Sequence, residues 1–140
     1  MKIGNVTFDC ADPPRLCEFW AAALGYEVEE APPGLLDELR AAGWSEADLT
    51  SRAVARDPEG RGPRLFFQRV PEGKQAKNRL HLDVNAVAGR HAERHEVDGE
   101  RDRLLGLGAT HSHTHDAMLG SFPEYHHVMA DPEGNEFCVQ

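Results

Sequence analysis

The tetrapeptide Asp-Pro-Glu-Gly occurs twice, at Asp57–Gly60 and Asp131–Gly134, and it narrows the possible folds more than any other feature of the chain. Each copy stands before a run that reads as a β-strand, and the residues around it repeat as well. Val6, Phe8 and Cys10 alternate with Asn5, Thr7 and Asp9, and Leu80, Leu82 and Val84 alternate in the same way with Arg79, His81 and Asp83. A period of two describes a strand with one apolar and one polar face. Leu24-Gly25 and Leu107-Gly108 would then each close a helix, with glycine taking the left-handed position past its end. A repeat at this scale outranks local propensity as a guide to architecture.

The elements between these markers follow from local chemistry. Asp12 before Pro13 suits a helix N-cap followed by proline in the first turn. Leu16, Phe19, Trp20, Ala23 and Leu24 recur at helical spacing, so Phe19 and Trp20 belong to a core. Strands are expected over 26–29, 52–56 and 64–70. Between the first two of these, a helix over 35–42 and a turn capped by Ser45 fill the segment after Pro32-Pro33-Gly34. In the second half a charged helix over 93–107 precedes strands over 109–115, 125–130 and 135–140. Each half therefore reads as strand, helix and three strands, with half-modules 1–71 and 78–140 joined by a polar linker over 72–77.

At 140 residues the chain suits one domain. Its 40% apolar and 28% charged residues are globular in composition, and no apolar run approaches the ~20 residues of a bilayer span. Met1 runs into Lys2-Ile3-Gly4 with no apolar stretch behind a basic start, so no secretion signal is expected. Cys10, Cys17 and Cys138 are odd in number and form no CxxC pair, which favours a reducing, cytoplasmic setting. A net charge of −9 with scattered cations argues against a nucleic-acid partner. That acidity either suits a cationic ligand or only keeps the protein soluble.

The stretches DPPRLCEFWAAALGY (12–26), QRVPEGKQAKNRLHLDV (68–84), LGAT (107–110) and VMADPEGNEFCV (128–139) resemble the vicinal oxygen chelate superfamily, and within it the glyoxalase-like domain branch. Glyoxalase I, extradiol dioxygenases and bleomycin-resistance proteins belong to the same superfamily. The resemblance implies an α+β fold of two βαβββ modules forming a half-open mixed-sheet barrel around a concave pocket. On that geometry the pocket wall would include Asn5, Thr7, Asp9, Arg79, His81, Asp83, Glu136, Cys138 and Gln140.

The resemblance also implies where a metal would sit. Metal-dependent members carry four inward His, Glu or Gln ligands, on the first and last strands of each module. Of these positions only His81 matches. Asn5 stands at the first, Phe66 or Gln68 at another, and Cys138 where DPxGNxxE ends in Glu, with Glu136 two residues earlier on the same face. No cofactor is therefore expected. If a divalent ion is bound, His81, Glu136 and Cys138 are its candidate ligands, because imidazole with thiolate suits zinc. Otherwise His81 hydrogen-bonds within a polar pocket and Cys138 packs as a small apolar residue.

A second histidine group needs the same weighing. His111, His113 and His115 alternate and would share one strand face, with His126 and His127 on the neighbouring strand. They could bind zinc or relay protons, or could simply form an exposed His-rich edge. Ser45, Ser51, Ser112 and Ser121 lie in no GxSxG setting, and no phosphate-cradling glycine loop occurs. Trp44 is expected to pin its helix to the sheet, or else to overhang the pocket.

The expected function is small-molecule binding in the inter-module pocket without the full metal-ligand set, in the manner of a resistance-type binding protein. A homodimer is possible. The alternative is a lyase, isomerase or hydrolase with His81 and Glu136 as catalytic groups, and a blander one is an accessory domain with a vestigial pocket.

Overall fold

Helix α1, Pro13–Leu24, forms because its apolar residues fall on one stripe and its ends are chemically marked. The Asp12 carboxylate accepts the Arg15 backbone N–H at 3.3 Å, and Gly25 closes the helix at φ 68°. Its stripe buries Leu16, Cys17, Phe19 and Trp20 against a four-stranded sheet. That sheet comprises β1 (Asn5–Cys10), β2 (Glu27–Val28), β3 (Arg52–Arg56) and β4 (Arg64–Arg69) in the order β1-β4-β3-β2. Phe8 lies 5.4 Å from the Trp20 ring and stacks on Phe67 at 5.0 Å, so the helix–sheet contact is largely aromatic.

This computed structural model describes residues 3–140; Met1 and Lys2, where the expectation about a leader begins, lie outside them. The chain divides into two compact units, 1–73 and 74–140. The second carries β5 (Asp83–Val84), α4 (Arg94–Leu107), β6 (Thr110–Leu119), β7 (Phe122–Ala130) and β8 (Glu136–Val139) in the order β5-β8-β7-β6. In each unit the first strand pairs in parallel with the last, and the remaining pairs are antiparallel. The fold is thus α+β, two βαβββ modules of identical strand order, as the repeat requires.

The repeated tetrapeptide makes the same device in both modules. Asp57 accepts the backbone N–H groups of Glu59, Arg61 and Gly62 at 2.8–2.9 Å. Asp131 accepts those of Glu133 and Asn135 at 3.0 Å and also binds the Asn135 amide. A carboxylate that ties several loop amides fixes the entry angle of the next strand.

Three expectations need correction. The strand expected from Arg79 shrinks to Asp83–Val84, and Leu80 is 70% exposed instead of facing the core. Its parallel partner β8 starts only at Glu136, behind the Asp131–Gly134 turn, so residues before His81 have no ladder to join. The strands expected over 109–115 and 125–130 are both longer, and they join through Gly120 and Ser121 into one hairpin. Trp44 does not pin its segment: α2 (Leu35–Ala41) and α3 (Glu46–Leu49) bury nothing, and Trp44 stays 38% exposed. The tie is Arg69, whose guanidinium donates to the carbonyls of Ala47 (3.0 Å) and Thr50 (3.3 Å). No helix among the described residues is long and apolar enough to cross a membrane.

Candidate functional site

Strand β8 alternates: Phe137 and Val139 are buried, while Glu136 and Cys138 are half-buried on the other face. Pairing in register carries that second face sideways, because directly opposed residues point the same way. Asp83 of β5 lies beside Cys138 on one side and Val128 of β7 on the other. His81, two residues before Asp83, turns its Nδ1 to the Asp83 Oδ1 at 3.1 Å. The ligating atoms of His81, Asp83 and Cys138 all lie within 4.8 Å of one another. An ionised carboxylate only accepts, so the imidazole donates from Nδ1, and in its neutral form it keeps a lone pair on Nε2.

Cys138 and Glu136 have opposite electrostatic settings. Burial, and then the Asp83 carboxylate, push the Cys138 thiol above its ordinary value. A thiol in that setting is a poor nucleophile near neutral pH. The Lys74 ammonium, 2.9 Å away, and the Asn78 backbone N–H at 3.1 Å hold Glu136 as a carboxylate down to about 2. A group so acidic is badly matched to proton transfer near neutrality. The structure therefore brings His81 together with Asp83 and Cys138, and commits Glu136 to Lys74 and Asn78. Lys74 lies in the segment read as linker, and no pattern in the sequence pointed to its role.

In the first module Asn5, Thr7 and Asp9 occupy the exposed side of β1, in register with Arg64, Phe66 and Gln68 of β4. That register, unresolved from sequence, places Phe66 opposite Thr7 and Gln68 opposite Asp9, with the Gln68 amide donating to Asp9 at 2.8 Å. This face offers amides, a hydroxyl and one carboxylate but neither imidazole nor thiol. Arg79 is exposed in the segment before β5. The four-ligand set of the metal-dependent relatives therefore does not fit these residues. Among the described residues, His81, Asp83 and Cys138 form the one group of three that could hold an ion, with the N, O and S donors that suit zinc.

The histidine group does not share one face. A bulge at Ser112 shifts the pairing from His111↔Met129 to His113↔Val128. One extra residue in a strand turns every following side chain over. His111 therefore joins His127, with rings 5.1 Å apart, while His115 stacks on His126 at 4.7 Å on the opposite face. His127 is fully buried under α4. Its Nε2–H donates to Asp98 at 2.8 Å, and its Nδ1 is hydrogen-bonded to the Thr114 hydroxyl at 2.9 Å. Tyr125 also donates to Asp98, at 2.7 Å. His127 is thus a satisfied core histidine rather than part of an exposed edge.

The chain matches the family model described as "Glyoxalase-like domain" over residues 5–140. No curated protein matches it in sequence. Among solved structures it is similar to a glyoxalase/bleomycin resistance protein/dioxygenase family enzyme from Burkholderia phytofirmans PsJN, at 14% identity and TM-score 0.64, covering 99% of this chain and 97% of that one. A possible glyoxalase from Bacillus cereus matches at 18% identity and TM-score 0.60, covering 100% and 98%. The fosfomycin-resistance protein FosX from Listeria monocytogenes, solved as a mutant with Mn(II) and a dihydroxypropylphosphonic acid, matches at 12% identity and TM-score 0.64, covering 99% and 88%. At these identities the likeness is one of fold.

Proposed function

Since the chain belongs to the glyoxalase-like domain family, we propose that it binds a small molecule on the polar face of its second sheet, without the four-ligand metal set of the metal-dependent relatives. One observation carries the reading: an imidazole, a carboxylate and a thiol converge there on an open, half-exposed surface. His81 presents a bare Nε2 to a ligand donor, Asp83 orients the ring, and Cys138 supplies a soft, uncharged floor. The Lys74–Glu136 pair closes one side of this face with fixed charges. Three free cysteines are consistent with a cytoplasmic protein.

The same pair supports a second reading. An imidazole oriented by a carboxylate is a general base, so a lyase, isomerase or hydrolase reaction would start with proton abstraction by His81 Nε2, with Asp83 stabilising the imidazolium. Glu136 takes no proton in either reading.

The first test is elemental mass spectrometry on untagged protein before and after EDTA, followed by a thermal-shift screen of small molecules. The expected result is no stoichiometric ion, together with ligands whose stabilisation is lost in His81→Ala. A stoichiometric ion that His81→Ala removes would overturn the metal-free reading. Turnover of a hit that vanishes in His81→Ala while its binding survives would favour the enzyme.

A further inference from the structure

A hollow of about 630 Å³ in the second module lies between the segment leading into α4 and the outer half of β7. Arg90, His91 and Arg94 line one side; Phe122, Tyr125 and His126 line the other. We propose that this hollow takes a small aromatic acid, its ring against Phe122 and its carboxylate on the guanidinium and imidazole donors. The proposal rests on the small-molecule reading above but on different residues from the His81 cluster.

Two features set this hollow apart. The chain carries a net charge of −9, and two other hollows among the described residues follow suit or are balanced. One of about 640 Å³ in the first module is lined by Glu27, Glu29 and Glu30 against Arg56, and one of about 360 Å³ pairs Asp48 with Arg52. Here the lining has a single acidic side chain, Glu124, and that group accepts from His115 at 3.2 Å. The carboxylates that hold the two arginines, Glu96 and Asp116, lie outside the lining. Each guanidinium is thereby fixed in place, yet five N–H groups exceed what one carboxylate accepts, so donors remain for a ligand. Locked donors lose little entropy on binding.

The second feature is apolar. Phe122 is 73% exposed, so its ring is open to a ligand. Tyr125 stands beneath the Arg94 guanidinium, 4.6 Å from its ring centroid, so cation and ring already form one stacked wall. The volume falls within the ~300–1,000 Å³ of ordinary ligand sites. An aliphatic acid would use the donors and waste the Phe122 ring; a neutral arene would do the reverse.

The test is titration calorimetry with naphthalene carboxylate and with its neutral carboxamide, on the full chain. The acid should bind at least about tenfold more tightly than the amide. Phe122→Ala and Arg94→Gln should each weaken the acid by about tenfold, whereas His81→Ala should leave it unchanged. Phe122 is exposed enough that its removal spares the fold, so that variant decides if Arg94→Gln melts early. Absence of binding, equal binding of the amide, or indifference to Phe122→Ala would overturn the proposal. Acid binding that survives Phe122→Ala but is lost in His81→Ala would overturn this hollow while leaving the His81 face as the binding surface.

Discussion

The two modules share one strand order, yet their helices meet their sheets through different chemistry. Helix α1 buries seven of its twelve residues, and its contact with the sheet is a cluster of rings. Helix α4 is longer but buries only Val97 and Leu104, and beside them it sets Asp98 over a buried histidine. Topology therefore fixes which strands pair but not what fills the layer between helix and sheet. The helix–sheet layer of the first module is held by packing, which is insensitive to pH. The second is held partly by a hydrogen-bond network, which is directional and carries titratable groups.

The largest difference should appear when each layer loses its central side chain. Trp20→Ala removes a fully buried indole from between α1 and the sheet and should cost about 3–5 kcal/mol. Asp98→Asn keeps the volume but weakens the partner of His127 and Tyr125, and should cost about 1–3 kcal/mol. Urea denaturation of both variants checks the order; an Asp98→Asn loss equal to that of Trp20→Ala would mean the network outweighs the packing.

The pH dependence sharpens the same contrast. The Tyr125 hydroxyl, then the His127 N–H, hold the Asp98 carboxyl below its ordinary 3.8. A carboxyl lowered on folding adds stability above its unfolded value, and that stability is lost as pH falls through the folded value. Wild type should therefore lose stability more steeply than Asp98→Asn below about pH 4. Thermal melts between neutral pH and acid, run on both proteins, read this directly. Parallel curves would remove Asp98 from the account.

The sequence carried the modular half of this comparison far better than the chemical half. Two copies of Asp-Pro-Glu-Gly, two Leu-Gly helix ends and period-two runs are local signals, and local chemistry produces the turns, caps and strands they announce. The bulge at Ser112 has no such signal. It is a property of how β6 meets β7, so the alternation of His111, His113 and His115 promised one face where the sheet has two. Likewise the pairing of Glu136 with Lys74 joins residues far apart in sequence across a segment without regular structure. His81 and Cys138 were legible because the resemblance marked their positions, but Asp83 as the third member of their group needed the register of β5 on β8.

The smallest expected effects compare one ion pair from each module. Arg64 holds Glu29 through two guanidinium nitrogens, but both side chains are more than 40% exposed. Water screens such a pair, so Glu29→Gln should cost less than about 1 kcal/mol. Lys74 and Glu136 are only 24% and 28% exposed, and the carboxylate also accepts the Asn78 N–H. Glu136→Gln should therefore cost more, and its effect should carry a pH signature. With a folded value of about 2 against an ordinary 4.5, the contribution of Glu136 is whole above that ordinary value and fades as pH falls between the two. Carbon-detected NMR of the side-chain carboxyls resolves the point without unfolding the protein: Lys74→Gln should move the Glu136 midpoint upward toward its ordinary value. A Glu136 midpoint unmoved by Lys74→Gln would leave the Asn78 N–H as its main partner, and the second module would then owe that corner to backbone rather than to charge.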